Sequence, residues 1–363
     1  MWWSAAAGVT GGVVTMFMTS ARPGALVWRA VITRSSRATS RAGSPPPPGV
    51  VAITDEQYEP GEDDARLDAY FPASLAAGER RPTVVWIHGG AWISGAKEVA
   101  APYFAMLARG GFTVIAVEYS RAPDAQYPTP IVQINDALAY VQRHADRFHI
   151  DDEQIIVAGD SAGAQMASQI ATLVTNPAYA SDVGIRPSLR PEQLRGVILF
   201  CGAYDAAGVA RHPELVPDAA LRLLTRSVLW AYTGSRERNS VPLRQMSPID
   251  HVTSAFPPTF ISGGNADPLT DVHSRPFAAR LVALGVDVTA LFYEPGHTPA
   301  QGHQHQFRIE TPDGRKALQA VLDFVRRFDR SSSSGDAKTD AGRDDVDRDG
   351  EEPCEQPGLR QWP

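Results

Sequence analysis

The sequence predicts an α/β fold with a mostly parallel central sheet, helices on both faces and a helical cap. Short, nearly continuous apolar runs at 83–87, 113–117 and 196–200 are typical of strands buried on both faces. Apolar residues at helical spacing separate these runs, as they do over 131–144. The stretch 206–258 breaks the alternation with leucine clusters and several prolines, and we expect it to form the cap above the carboxyl ends of the strands.

The remaining elements follow the same alternation along the chain. Strands are predicted at 66–71 (an edge strand), 83–87, 113–117, 155–158, 196–200, 259–262 and 288–293, and helices at 102–109, 131–144, after Ser161, 274–284 and 315–328.

Composition narrows the class of protein. Of the 363 residues, 43% are apolar and 21% are charged, as in an ordinary globular domain. The net charge of -7 gives no basic surface for nucleic acid, so we expect no nucleic-acid partner. Two cysteines argue against a disulfide scaffold; Cys201 follows an apolar run and is predicted to be a buried thiol.

The ends of the chain differ from its middle. Residues 1–48 form an N-terminal segment: an uncharged stretch at 2–21, several arginines, and a proline linker at 45–48. The uncharged stretch is just long enough to cross a bilayer, but it is rich in small and polar residues and no basic residues precede it. Membrane contact through residues 1–32 and a role in the cap are both left open, and we expect a cytoplasmic location.

The catalytic domain is predicted over 49–330. Residues 331–363 are rich in serine, acidic and basic residues and contain almost nothing apolar. Such a segment cannot bury enough surface to offset the entropy cost of ordering it, so we expect a disordered tail.

The central motif of the chain is 159–163, which reads Gly-Asp-Ser-Ala-Gly. An apolar strand stops at Gly159 and a helical pattern begins directly after Ser161. A serine at the apex of a strand–turn–helix is the arrangement of a nucleophile, and the two glycines let strand and helix approach closely.

A serine nucleophile also needs donors that stabilise the oxyanion of the tetrahedral intermediate. The loop 88–92 follows the strand that ends at Ile87 and reads His-Gly-Gly-Ala-Trp. Backbone N–H groups of Gly89, Gly90 and Ala91, together with that of Ala162, are the predicted oxyanion hole.

The base and its carboxylate are sought further along the chain. Asp267 follows a predicted strand and precedes a proline, and it is preferred over Asp271 as the carboxylate. His297, His303 and His305 all lie between the last strand and the last helix, which gives the chain order Ser, Asp, His. No cysteine or acidic cluster supports a zinc site, so no metal and no cofactor are expected.

Together these motifs resemble those of the α/β-hydrolase fold, and within it the hormone-sensitive-lipase-like carboxylesterases. The matching segments are 88–92, 118–123 with 127–128, 159–163, 247–249 and 267–269, and the resemblance covers roughly 50–328. It implies a triad of Ser161, Asp267 and a histidine, ester hydrolysis through an acyl-enzyme, and a cap formed by the N-terminal segment and the insertion 206–258.

Two departures from that pattern matter. The family usually has a third glycine where this chain has Ala91, and the following Trp92 is also similar to the His-Gly-Gly-x-Trp loop of kynurenine formamidases. A histidine two residues before a phenylalanine points to His305, whereas alignment with the His-Glu-Tyr-Gln-Phe segment of similar bacterial esterases points to His303. We prefer His303, then His305, then His297.

The predicted function is that of a serine carboxylic-ester hydrolase (EC 3.1.1) acting on small or medium acyl esters. An amidase or arylformamidase would use the same residues, and a non-catalytic small-molecule receptor on the same fold is the third reading. The predicted partner is a small-molecule ester, and a homo-oligomer is left open.

Overall fold

The computed structural model describes residues 19–39, 46–216, 218–329 and 359–361. Its strands are β1 (Val50–Gln57), β2 (Arg66–Pro72), β3 (Arg81–Ile87), β4 (Thr113–Val117), β5 (Ile150–Asp160), β6 (Leu194–Phe200), β7 (Thr259–Gly263), β8 (Val288–Phe292) and β9 (Leu359–Gln361). Its α-helices are α1 (Arg22–Thr39), α2 (Ala101–Arg109), α3 (Thr129–Arg143), α4 (Ala162–Thr175), α5 (Pro177–Val183), α6 (Ala206–Arg211), α7 (Ala219–Thr233), α8 (Val241–Gln245), α9 (Arg275–Ala283) and α10 (Pro312–Arg326).

Over these residues the strands form one sheet in the order β1-β2-β4-β3-β5-β6-β7-β8-β9. The β1–β2 and β2–β4 pairs are antiparallel and the rest are parallel, so the sheet is mostly parallel, as predicted. The strand predicted at the edge, β2, instead lies between β1 and β4. Strand β1 was not predicted because its second half is polar and largely exposed.

Side chains of the central strands alternate between two cores. In β3, Val84 and Trp86 pack under α2 and α10, whereas Val85 and Ile87 pack on the opposite face with α3, α4 and α9. The helices thus cover both faces of the sheet, and the carboxyl ends of β3 and β5 lie side by side, with Ile87 paired to Gly159. The loops that carry the predicted chemistry therefore start at one edge of the sheet.

The cap is built from two distant segments. Helices α6, α7 and α8 lie within the predicted insertion 206–258, and α1 packs against α7. Residues 1–18 of the predicted N-terminal segment lie outside the described residues. None of the helices in the described parts of the chain is both long and apolar enough to cross a bilayer.

The predicted disordered tail, 331–363, falls mostly outside the described residues, but its residues 359–361 form β9. This strand runs parallel to β8, with Val288 opposite Leu359 and Ala290 opposite Gln361. Pairing satisfies N–H and C=O groups at the edge of β8 that would otherwise have no strand partner. Composition alone does not reveal it, because edge pairing depends on backbone groups and not on apolar side chains.

Candidate active site

Ser161 occupies a sharp turn between β5 and α4. Its backbone has φ 54° and ψ −119°, which is a strained conformation for a residue with a side chain. The Ser161 N–H donates to Phe200 O at 2.7 Å, which ties the turn to the end of β6. This strain and this anchor together hold the hydroxyl at the carboxyl edge of the sheet.

The two glycines of the motif are required by close packing. A Cβ on Gly163 would lie 2.0 Å from Ile87 O, and a Cβ on Gly159 would lie 2.5 Å from the carbonyl of Gly163. Side chains at these positions would push α4 away from β3 and β5. The glycines therefore fix where the turn of Ser161 lies relative to the loop that follows Ile87.

Asp267 follows β7 and its carboxylate is fully buried. One oxygen accepts from the Leu269 N–H at 3.0 Å, and the other lies 3.0 Å from Nδ1 of His303. Its sequence competitor, Asp271, is exposed and pairs with Arg275 on the surface. The structure thus places Asp267, and not Asp271, against a histidine.

The three candidate histidines occupy different environments. His303 bonds Asp267 and lines the same cavity as Ser161. His305 is buried, with its ring edge-on to Tyr293 at 5.1 Å, and it does not line that cavity. His297 bonds Asp313 at 3.1 Å, away from Asp267. The chain therefore brings His303 together with Asp267 and leaves the other two outside.

The hydrogen bond to Asp267 fixes the tautomer of His303. An ionised carboxylate can only accept, so Nδ1 of His303 carries the hydrogen and Nε2 is left as the basic nitrogen. Burial disfavours a charge on His303, but the hydrogen bond and the negative charge of the Asp267 carboxylate outweigh it and raise the pKa of His303 above its ordinary value. His303 is thus a strengthened base with the correct nitrogen available.

Two other imidazoles near the site are weak bases. Burial lowers the pKa of His305 to about 4. Burial likewise lowers the pKa of His273, which lines the cavity, to about 4, and its Nδ1 accepts from the Asp205 N–H at 3.3 Å. Both rings are therefore neutral at physiological pH, and neither contacts Asp267 through a hydrogen bond.

The loop after β3 lines the cavity beside Ser161. Gly89, Gly90 and Ala91 all lie on its wall, together with Ala162. Ala91 has φ 53°, a left-handed conformation that glycine adopts without cost and that strains a residue with a side chain. Trp92 is also left-handed, with φ 60°, and its Nε1 donates to Gln165 Oε1 at 3.0 Å, so a buried side-chain contact holds the strained loop.

A buried network supports this loop from below. His88 Nε2 lies 3.1 Å from Glu118 Oε1, its ring stacks on Tyr119 at 4.2 Å, and the Tyr119 hydroxyl donates to His88 O at 2.9 Å. The Lys97 N–H donates to the second Glu118 oxygen at 3.0 Å. This explains the 118–123 motif: its glutamate and tyrosine position the loop 88–92.

A second buried carboxylate, Asp160, lies directly before Ser161. Trp86 Nε1 donates to it at 3.0 Å, and Gln304 donates to its other oxygen. Burial raises the pKa of Asp160. Asp160 and Gln304 both line the cavity, although nothing in the sequence indicated a role for either. Because Gln304 is adjacent to His303, this contact links the histidine loop to the serine turn.

Cys201 is buried, as predicted. In the described part of the chain it forms a cluster with Asp267 and His303, whose ligand atoms lie within 4.8 Å of one another. Two of these three groups already bond each other, and burial raises the pKa of the thiol. The arrangement therefore suits proton transfer by His303 better than metal coordination.

The cavity above Ser161 has a volume of about 360 Å³. Its floor includes Ser161 and His303, and its upper wall is formed by apolar side chains of the cap, chiefly Ile32, Leu221, Leu224, Val228 and Leu229. Few polar groups point into this upper part. The cavity can therefore hold an apolar group beside the nucleophile.

One arginine joins the cap to the floor. Arg29 of α1 donates through Nε to Ile93 O at 2.7 Å and through a terminal nitrogen to Ala122 O at 2.6 Å. The Ala122 N–H in turn donates to Trp92 O at 2.9 Å. Nothing in the local sequence distinguishes Arg29 from its neighbouring arginines, so this contact could not be predicted from the sequence.

The chain matches the BD-FAE family model over residues 67–281, which is more than half of its length. It is 27% identical over 277 residues to the esterase LipQ of Mycobacterium tuberculosis, a match that covers 75% of this chain and 61% of LipQ. It is 32% identical over 219 residues to the acetyl esterase of Salmonella choleraesuis, covering 58% of this chain and 61% of that one. The chain thus spans less than two thirds of the length of both relatives.

Solved structures share the fold. Esterase B of Lactobacillus rhamnosis superposes with a TM-score of 0.70 at 20% identity, covering 87% of this chain and 97% of that one. The predicted α/β-hydrolase fold is confirmed by this likeness, and the predicted resemblance to esterases is confirmed by the family match. The chain belongs to the BD-FAE family of α/β hydrolases.

Proposed function

We propose that the protein is a serine carboxylic-ester hydrolase that acts on small or medium acyl esters through an acyl-enzyme. The observation that carries the proposal is the contact of 3.0 Å between Nδ1 of His303 and the buried carboxylate of Asp267, in a cavity that Ser161 also lines. The esterase names of the relatives support the same class of reaction.

Each residue has a defined role in this mechanism. Nε2 of His303 takes the hydroxyl proton of Ser161 as Oγ attacks the ester carbonyl, and Asp267 stabilises the imidazolium that forms. N–H groups of Gly89, Gly90, Ala91 and Ala162 stabilise the oxyanion. His303 then protonates the departing alcohol, and a water molecule activated by the same nitrogen hydrolyses the acyl-enzyme.

The size of the cavity supports a small or medium acyl group. About 360 Å³ lies near the lower end of the range for small-molecule pockets, and its cap side is apolar. Esterase B has been crystallised with a tributyrin phosphonate, a butyryl analogue. We therefore expect the best substrates to carry short acyl chains.

A series of nitrophenyl esters of increasing acyl length tests this proposal, with Ser161→Ala as the inactive reference. Short esters should give a burst of nitrophenol in the wild type and no burst in Ser161→Ala. Replacing Leu224 by tryptophan should shorten the preferred chain without abolishing turnover of the acetyl ester.

Matched anilides and N-formyl anilides separate the alternative functions. Faster cleavage of the formyl anilide than of the ester would favour the formamidase reading. Equal, slow hydrolysis by wild type and Ser161→Ala, with saturable binding of the ester, would favour a receptor and overturn the proposal.

A further inference from the structure

We propose that the outer surface of the cap docks on a bilayer that contains anionic phospholipid. This surface, the cap face, consists of the outward side of α1 and the groove between α1 and α7. Its defining residues are Leu26, Val27, Val31, Leu223, Arg226 and Arg238.

The outward side of α1 is apolar. Leu26, Val27 and Val31 have 42%, 55% and 53% of their surface exposed, while Arg29, on the inward side, makes hydrogen bonds beneath the helix. A helix at the surface of a globular protein ordinarily has the reverse arrangement. Leu223 of α7, exposed by 59%, adds an apolar side chain to the groove between α1 and α7. Such a patch is typical of an interaction surface.

Cationic side chains line the groove beside this helix. The groove between α1 and α7, with a volume of about 490 Å³, is lined by Arg222, Arg226, Arg236 and Arg238, with Glu237 the acidic residue among them. Over Arg22–Thr39 the sequence has four arginines and no acidic residue. Because the whole chain has a net charge of -7, this positive surface is local and does not follow from overall composition.

An apolar patch bordered by arginines complements a negatively charged lipid surface. Arg236 lies over the ring of Trp230 at 3.7 Å, so a tryptophan lies among the guanidinium groups, as is common at the depth of lipid headgroups. The residues that lead into α1, 2–18, carry no charge and include Trp2, Trp3 and Phe17.

Two other occupants of the cap face, a second copy of the chain and the segment 1–18, match its charges less well than an anionic bilayer does. A second copy of the chain meeting this surface about a twofold axis would bring arginines against arginines. The segment 1–18 could cover the apolar side chains, but it has no acidic residue to neutralise the groove. An anionic bilayer satisfies both the apolar and the cationic parts.

The cap face adjoins the catalytic cavity. Val209, Val216, Thr225 and Leu229 line both the groove and the cavity above Ser161. Docking would therefore place a lipid phase one layer of side chains from the acyl pocket. Binding does not depend on ester hydrolysis, so it is measured in the Ser161→Ala variant, where loss of hydrolysis leaves docking unaffected.

Co-sedimentation of the full-length Ser161→Ala protein tests the proposal, using phosphatidylcholine vesicles with and without phosphatidylglycerol. The protein should sediment with the anionic vesicles and far less with the neutral ones, and added salt should release it. Adding Arg226→Glu and Arg238→Glu should weaken binding by at least about 25-fold, since each arginine near an anionic surface contributes about fivefold. Val27→Asp with Val31→Asp should also release it.

The control is Arg186→Glu with Arg280→Glu, which makes the same charge change at exposed arginines outside the cap and should leave binding unchanged. With Ser161 restored, all these variants should hydrolyse a soluble acetyl ester normally, which shows that they fold. Equal binding to neutral vesicles, equal loss in the control, or no loss in the cap-face variants would overturn the proposal. A change of molecular mass in solution without vesicle binding would identify the face as an interface between copies and overturn it too.

Discussion

The catalytic floor and the cap are held in place by different means. The floor consists of the loops after β3, β5, β7 and β8, and its geometry comes from strained backbone and from buried hydrogen bonds such as Trp92 to Gln165 and His303 to Asp267. The cap consists of α1 and the helices within 206–258, and it rests on apolar packing and on surface-accessible contacts such as Arg29 to Asp124. The floor therefore keeps one geometry, whereas the apolar side chains of the cap can be exchanged for others of different shape.

This difference predicts how mutations should act. Changes in the floor should lower the rate of the chemical step by orders of magnitude with little change in binding of the acyl group. Changes in the cap should alter which substrate is accepted and how tightly it binds. These effects should be much smaller than the loss of rate caused by changes in the floor.

The largest expected effect separates two neighbouring histidines. His303→Ala should lower kcat by about 10⁶-fold, because it removes the base. His305→Ala should leave the chemical step nearly intact, because that ring is buried beside Tyr293 and does not line the cavity; its cost should be to stability. Single-turnover rates on an acetyl nitrophenyl ester, with thermal unfolding measured in parallel, check both. The reverse order of activities would refute the assignment.

The next effect separates two aspartates four residues apart. Asp267→Asn should lower kcat by about 10⁴-fold, because an amide can donate to Nδ1 of His303 and so favour the wrong tautomer. Asp271→Asn should be within twofold of wild type, since an isolated surface pair such as Asp271 with Arg275 contributes little. Equal losses in both variants would show that the carboxylate is misassigned.

The pH profile should reveal the raised pKa of His303. The base must be neutral to accept the proton of Ser161, so kcat/KM should fall about tenfold per pH unit below the pKa of the free enzyme. Because this pKa is raised, the midpoint should lie above about 6.5. His273 and His305, with pKa values of about 4, stay neutral across this pH range. They should therefore add no second inflection to the plot of kcat/KM against pH in this range. A midpoint near 4 would instead implicate one of them.

A smaller effect tests the link between the two regions. Arg29→Ala should lower kcat/KM by about tenfold, because a charged donor to Ile93 O and Ala122 O, next to the oxyanion loop, is lost. Arg22→Ala is the matched control: the Arg22 side chain forms an exposed pair with Asp124, so this variant should be near wild type. A fall in kcat would show that Arg29 acts through the loop 88–92, and a rise in KM would show that it acts through the cavity wall. If neither kcat nor KM changes, the proposed link between cap and floor is wrong.

The same contrast explains what could be predicted from the sequence. The serine turn and the oxyanion loop could be predicted because each depends on a few consecutive residues. Glycines within a short segment that directly follows a strand indicate a strained turn. The pairing of Asp267 with His303 spans 36 residues, and the sequence could order the histidine candidates but not measure their contacts.

The contacts of the cap and the edge strands of the sheet were harder to predict from the sequence, because they depend on residues far apart in the chain or on backbone groups. Arg29 acts on carbonyls 64 and 93 residues away, and no local pattern marks it. Strands β1 and β9 join the sheet through backbone groups, which any sequence carries, so their polar composition gave no signal. Gln304 and Asp160 were overlooked because their contact also depends on two distant loops meeting.

The central claim is that Ser161 is activated by His303 and not by another histidine. The most direct measurement is the rate of covalent labelling by a short-chain alkyl phosphonate, followed by mass spectrometry of the digested protein. One adduct per chain should appear on Ser161 in the wild type and, at a similar rate, in His305→Ala, whereas labelling of His303→Ala should be slower by orders of magnitude. Labelling at another residue, or loss of labelling in His305→Ala with His303→Ala unaffected, would contradict the account.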